Sequence, residues 1–230
     1  MLTVAILSGG LATRLKPLSD VIPKALVPVN GRPFIEWQLE YLKNQGFEHV
    51  VICIGYLGNQ IVDAIGGGST FGLDVEYSLD GGKLLGTGGA IKKALTKLGD
   101  AFFVLYGDSY LPIDFKLVER AYQSGEHCLM TVYRNEGKWD KSNVEFRDGR
   151  IIAYDKENCT ESMLYIDYGL SILSRNAFCE LRSIESFDLS VVFNSLLQKQ
   201  LLKGYEITSR FFEVGSMDGI KALESHLRDK

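Results

Sequence analysis

The 230-residue chain has only four cysteines, three histidines and five prolines, and no long uncharged apolar run. Cys53, Cys128, Cys159 and Cys179 are widely spaced, form no CxxC pair and stand mainly in apolar surroundings. That argues against a disulfide or zinc framework and for buried, reduced thiols in a cytoplasmic setting. His49, His127 and His226 are isolated, without the spacing of metal ligands, and read as surface or core residues. No stretch approaches the roughly 18 apolar residues of a membrane span. The apolar start over 2–7 has no basic segment before it and runs straight into glycines, which argues against a signal peptide. A net charge of -4 provides no broad footprint for nucleic acid or an anionic membrane. The expected partners are therefore small molecules, with a homo-oligomer left open. Neither GxGxxG nor GxxxxGK[ST] occurs, so nicotinamide-type and P-loop readings lose their main support.

What is present is an alternation. With 46% hydrophobic residues the chain is long enough to bury a substantial core. Strand patterns over 3–8, 49–54, 74–77, 101–106 and 128–133 alternate with helical patterns over 34–44, 59–65, 90–98 and 115–124. This predicts an α/β fold: a Rossmann-like three-layer sandwich with a mostly parallel central sheet. Beyond it, 143–146 and 150–154 flank Asp148-Gly149, which favours a hairpin turn, and 164–173 reads as a further strand. We expect a small mixed-sheet addition rather than a separate domain, because no Pro/Ser-rich linker divides 1–230.

Several short motifs carry chemistry. The first strand ends in Gly9-Gly10, where a bare backbone lets N–H groups approach a phosphate, and Arg14 adds a two-pronged donor. Lys24 stands between Pro23 and Pro28 on a stiffened backbone, supplying a second fixed cation. Asp108 ends the apolar run 102–107, which puts a carboxylate at the carboxyl edge of a parallel sheet, where ligands of open α/β folds bind. Gly86-Thr87-Gly88-Gly89 precedes the helical pattern and is expected to form a loop lying against a nucleobase. The charged stretch 135–142, with Trp139, reads either as a lid or as an ordinary loop.

The ordered set Gly9-Gly10-x-x-Thr13-Arg14-Leu15, Pro23-Lys24, Pro28-Val29 and Gly31-x-Pro33 resembles the signature of the sugar-phosphate nucleotidyltransferases. The resemblance continues at Gly86–Ala90, Gly107-Asp108-Ser109 and Glu213-Val214-Gly215-Ser216, and so covers nearly the whole chain. It is strongest toward the compact heptose 1-phosphate guanylyltransferases and N-acetylmuramate 1-phosphate uridylyltransferases. It implies a nucleotide-binding part over about 1–134, a sugar-binding part over about 135–209 and a metal-carrying motif over about 210–218. Leu7, Ser8, Gly9, Gly10, Thr13, Gly86, Thr87 and Gly88 would then hold an NTP, with Arg14 and Lys24 as catalytic cations. Asp108 and Glu213 would hold Mg2+, Glu213 standing where relatives usually have aspartate; Asp218 is a weaker candidate. Asn143, Glu145, Lys156, Asp167 and Gly169 would contact the sugar 1-phosphate. Relatives often have glycine at the position of Asn143 and asparagine at that of Asp167. An ionised aspartate there favours hydroxyl or ammonium donors and opposes a substrate carboxylate.

The implied reaction is attack of the sugar phosphate on the α-phosphorus of the triphosphate, with pyrophosphate leaving. A phosphate is already anionic, so the absence of a Ser/His/Asp constellation is no objection. Three other readings stay open: a glycosyltransferase, although Asp108-Ser109-Tyr110 lacks the second acid of DxD; a noncatalytic nucleotide-sugar sensor; and a nucleotidyltransferase acting on phosphocholine. If Arg14 and Lys24 serve the phosphates, Arg14→Ala and Lys24→Ala each lose roughly 2–4 kcal/mol of transition-state stabilisation, read as kcat/KM, with little change in thermal stability. Near-normal turnover in both variants rules out the phosphate site.

Overall fold

The computed structural model describes residues 1–10, 21–122 and 128–228. In chain order it contains β1 (Thr3–Ser8), β2 (Pro28–Val29), β3 (Arg32–Pro33), α1 (Phe34–Gln45), β4 (His49–Ile54), α2 (Gly58–Ile65), β5 (Asp74–Leu79), α3 (Gly86–Ala94), β6 (Ala101–Tyr106) and β7 (Ser109–Tyr110). There follow α4 (Phe115–Ala121), β8 (Cys128–Arg134), β9 (Val144–Arg147), β10 (Arg150–Tyr154), β11 (Tyr165–Ser174), α5 (Ser190–Gln198), β12 (Leu202–Ile207), β13 (Phe212–Glu213) and α6 (Met217–Arg228).

Nine strands form one sheet in the order β5-β4-β1-β6-β11-β8-β12-β10-β9. The half built from β5, β4, β1 and β6 is parallel throughout. From β6 onward the pairings with β11, β8, β10 and β9 are antiparallel, apart from β12 beside β8. The sheet is thus mixed rather than mostly parallel. The expected small addition is no separate sheet either, since β9 and β10 extend the central one through β12. The hairpin over 144–154 was legible from its Asp-Gly turn. Its long-range partner β12, which joins it to the main sheet, had no local signal.

The strands near the centre are apolar on both faces because both are covered. Val4, Ile6, Val50, Ile52, Phe103 and Leu105 point into a cluster shared with Ile35 and Leu39 of α1, Ile61 of α2 and Phe115 of α4. Their neighbours Ala5, Val51, Phe102 and Val104 point the other way, against Ala90 and Ile91 of α3 and Val192 and Phe193 of α5. This period-two alternation with helices on both faces gives the expected three layers. A third cluster, with Val29, Phe34, Phe212, Val214 and Leu223, packs α6 and the short strands against the end of the sheet. Among the described residues no helix is long and apolar enough to cross a membrane. Cys53 and Cys128 are buried free thiols as expected, whereas Cys159 is half-buried and Cys179 exposed.

Phe103 is wholly buried, with its ring centre 5.5 Å from that of Phe47 and 5.8 Å from that of Phe115. Emptying that position in a close-packed core leaves a cavity. Phe103→Ala is expected to cost about 3–5 kcal/mol in chemical denaturation, and a loss below about 1 kcal/mol would show that this aromatic cluster is not a principal element of the core.

Candidate active site

The site begins where β1 and β6 end side by side, with Leu7 opposite Tyr106 in parallel register. The Gly107 N–H donates to the Leu7 carbonyl at 3.0 Å. A Cβ at position 107 would stand 2.3 Å from Ser8 Oγ and 2.5 Å from the Leu7 oxygen, so only glycine permits this approach. The chain thereby brings Asp108 beside the end of β1 at Ser8, with Gly9 and Gly10 lining the same cleft. Lys24 reaches the same point from a single 3-10 turn, Lys24–Leu26, that opens after Pro23 and is anchored by buried Ala25. Its Nζ lies 2.7 Å from Asp108 Oδ2.

Glu213 arrives from far along the chain. β13 pairs antiparallel with β7, setting Glu213 opposite Ser109, and the Val214 N–H donates to the Asp108 carbonyl at 2.9 Å. At Gly215 a Cβ would lie 3.3 Å from Lys24 Nζ and 3.5 Å from Glu213 Cδ, so Lys24 and Glu213 share one corner. Three of the sequence-expected charges, Lys24, Asp108 and Glu213, are therefore brought together. Asp218 sits in the first turn of α6 and lines a neighbouring groove with Glu213, Trp139 and Arg210, but neither of the two clefts described next. Thr13 and Arg14 lie outside the described residues.

Two clefts open from this junction. The first is lined by Leu7, Ser8, Gly9 and Gly10, by Gly86 and Thr87, and by Lys24 and Asp108. Ser8 Oγ is buried there and has no hydrogen-bond partner among the described residues. Asp80, which the sequence reading missed, also lines this cleft. Burial raises the pKa of its carboxyl, against the opposing pull of the Leu85 N–H and Lys93.

The glycine motif corrects one expectation. Gly86–Gly89 is the first turn of α3, not a loop before it. The N–H groups of Gly88 and Gly89 donate to the Phe187 carbonyl at 2.9 and 3.2 Å. A Cβ on Gly88 would lie 2.3 Å from the Phe187 ring, and one on Gly89 would lie 2.4 Å from the Glu185 oxygen. These two glycines let the 185–188 segment pack onto the helix start, and of the motif only Gly86 and Thr87 line the cleft.

The second cleft is lined by Asp140, Asn143, Lys156, Asp167 and Gly169, with Asp108 and Glu213 at the shared end. Asn143 Oδ1 accepts the Asp167 N–H at 2.9 Å, and the Gly169 N–H donates to Asp167 Oδ1 at 3.1 Å. This local turn occupies an irregularity in β11 and needs the φ of +94° that Gly169 provides. Burial raises the pKa of the Asp167 carboxyl, opposed chiefly by the charge of Lys156. Glu145 is not brought into the cleft: its two oxygens serve Arg147 at 2.6 Å and Ser162 at 2.8 Å.

Sequence reasoning also missed Tyr106 and Asp188. Tyr106 lines both clefts, and its buried hydroxyl has no partner among the described residues; burial, with Asp167 nearby, pushes its pKa well up. An aromatic at the end of a buried strand reads only as core. The 135–142 stretch is pinned rather than loose. Wholly buried Asn135 donates to the Asp140 carbonyl at 2.6 Å and accepts the Trp139 N–H at 3.2 Å, while the Arg210 guanidinium lies 3.6 Å from the Trp139 ring centre.

Residues 3–151 match the family model described as nucleotidyl transferase. Over 211 residues the chain is 28% identical to the D-glycero-alpha-D-manno-heptose 1-phosphate guanylyltransferase of Campylobacter jejuni, covering 91% of this chain and 93% of that one. Over 111 residues it is 44% identical to the N-acetylmuramate alpha-1-phosphate uridylyltransferase of Neisseria meningitidis, about half of each chain. Among solved structures it is similar to HddC from Yersinia pseudotuberculosis, with a TM-score of 0.83 at 25% identity over 99% of this chain and 100% of that one; HddC has also been solved complexed with GMP-PN. With the family model spanning more than half its length, the chain belongs to the nucleotidyl transferase family, the sugar-phosphate nucleotidyltransferases that its motifs resemble.

Proposed function

We propose that the protein is a magnesium-dependent sugar 1-phosphate guanylyltransferase acting on a heptose or hexose. An oxygen of the sugar 1-phosphate attacks the α-phosphorus of GTP, and the bond to the β-phosphate oxygen breaks as pyrophosphate leaves with its electrons. The observation that carries this reading is the meeting of Lys24, Asp108 and Glu213 at the junction of two clefts, one walled by glycine backbone and the other by sugar-type polar groups. GTP is favoured over other triphosphates by the names of the full-length relatives.

The chemical problem is to bring two anions together, and the attacking phosphate needs no general base. Lys24 faces the junction from the first cleft and offsets charge on the phosphates, while Gly9 and Gly10 let backbone come close to them. Asp108 and Glu213 suit magnesium: both are hard oxygen donors, two protein carboxylates are a usual number for that ion, and bare Gly215 leaves room between Glu213 and Lys24. When bound, Mg2+ would neutralise phosphate oxygens at this point. In the second cleft Asp167 accepts from sugar hydroxyls and opposes a carboxylate-bearing substrate, which argues for a neutral sugar over the lactyl-bearing N-acetylmuramate. Asn143 holds Asp167 in that position.

The test is pyrophosphate release from each triphosphate with magnesium and a panel of heptose, mannose, glucose and N-acetylmuramate 1-phosphates and phosphocholine. GTP with a neutral sugar phosphate is expected to turn over fastest. Asp108→Asn and Glu213→Gln are each expected to lower magnesium-supported turnover by on the order of 10²-fold, a few kcal/mol of lost charge stabilisation, with Asp218→Asn near normal. Preference for N-acetylmuramate 1-phosphate, unchanged in Asp167→Asn, overturns the sugar assignment, and preference for phosphocholine overturns the substrate class.

A further inference from the structure

Asp188 lines neither cleft, yet its carboxylate touches one residue from each. Oδ1 lies 3.1 Å from Lys156 Nζ, and Lys156 lines the second cleft. Oδ2 accepts the hydroxyl of Thr87 at 2.9 Å, and Thr87 lines the first. The carboxylate is itself held in place, because Oδ1 also accepts the Ser190 N–H at 2.8 Å where α5 begins. Thr87 Oγ1 in turn accepts the Leu189 N–H at 2.8 Å, so both its donor and an acceptor site are committed to this one segment. The segment docks on the first turn of α3 through the two bonds to the Phe187 carbonyl and the Phe187 N–H to the Leu85 carbonyl.

We infer that Asp188 is a positioning residue that couples the two clefts, holding the Lys156 ammonium at the sugar phosphate while tying it to the first turn of α3 at the nucleotide. The inference rests on the assignment of the two clefts given above. A lysine has a flexible four-carbon stem and a point charge, so its ammonium goes where a carboxylate holds it. Two carboxylates compete for Lys156: Asp188, and Asp167 inside the sugar cleft, whose carboxyl its charge already stabilises. With Asp188 present the ammonium is drawn to the rim, 5.7 Å from the centre of the Tyr106 ring. Without it, Asp167 becomes the stronger attraction, drawing the cation into the space a sugar hydroxyl would use. Burial alone would raise the Asp188 carboxyl, but Lys156 and the hydrogen bonds from Ser190 and Thr87 outweigh it and hold the pKa at about 2, so the charge is present throughout the working pH range. A nucleotide that settles Thr87 thereby settles Lys156.

The experiment is a set of steady-state KM values for both substrates with thermal midpoints. Asp188→Asn removes the charge facing Lys156 and leaves one acceptor oxygen where Oδ1 and Oδ2 now serve Ser190 and Thr87. It is expected to raise the sugar-phosphate KM about tenfold, the size of one charge-assisted hydrogen bond, and to leave the triphosphate KM within about twofold. Thr87→Val cuts the link from the other side. It is expected to raise the sugar-phosphate KM in the wild-type background and to add nothing in Asp188→Asn, while Thr87→Ser, which keeps the hydroxyl, restores the wild-type value. Equal rises in both KM values with a lowered melting point in Asp188→Asn would reduce Asp188 to a structural role, and an equal Thr87→Val effect in both backgrounds removes the coupling. A normal sugar-phosphate KM in Lys156→Ala overturns the cleft assignment itself, and this inference with it.

Discussion

The contact on which the rest of the site depends is the meeting of the Lys24 ammonium and the Asp108 carboxylate, 2.7 Å apart with side chains 22% and 33% exposed. A pair this open to water contributes about 1 kcal/mol or less to stability, so its importance is positional. Each partner is delivered by backbone rather than by side-chain packing: Lys24 by a turn that opens on Pro23, Asp108 by the glycine that lets β6 finish against β1. The β7–β13 ribbon then adds Glu213 to the same corner. Cation and carboxylates are thus held together by the fold itself, the preorganisation that the proposed transfer would require.

Tyr106 lines both of the clefts described above, and the charges are distributed around it. In the first cleft stand the backbone of Ser8, Gly9 and Gly10 with Lys24, Asp80 and Asp108; in the second stand Asp167, Asn143 and Lys156. The burial of Asp167 is tolerable because Lys156 and the Gly169 N–H both favour its charged form. Lys156 is shared with Asp188 at the rim, so the polar groups of the second cleft form one connected set rather than separate contacts.

The correspondence between sequence and structure follows the range of each interaction. The strands β1, β4 and β6 were legible because burial on both faces demands unbroken apolar runs, and the 144–154 hairpin because Asp148 and Gly149 both adopt the positive φ such turns need. The glycine motif misled for a physical reason. Glycines before a helix suggest an open loop, but Gly88 and Gly89 are small to admit the Phe187 ring and the Glu185 backbone, partners nearly a hundred positions away. Glu145, which the family resemblance suggested for the sugar, has its two oxygens bonded to Arg147 and Ser162, partners that the resemblance does not reveal. Asp188 belongs to no motif or periodic pattern that would have singled it out.

By itself the sequence determined the three-layer α/β plan, the glycine pair after β1, the carboxylate just beyond β6 and the family to which these belong, since all rest on periodicity and on short, ordered motifs. Tertiary structure alone decided that the sheet is mixed and continuous, that Glu213 stands across from Ser109, and that one carboxylate at position 188 joins Thr87 to Lys156. Those outcomes depend on strand register and on how segments dock on one another. A local pattern states which face of an element is apolar, but not which distant element will cover it.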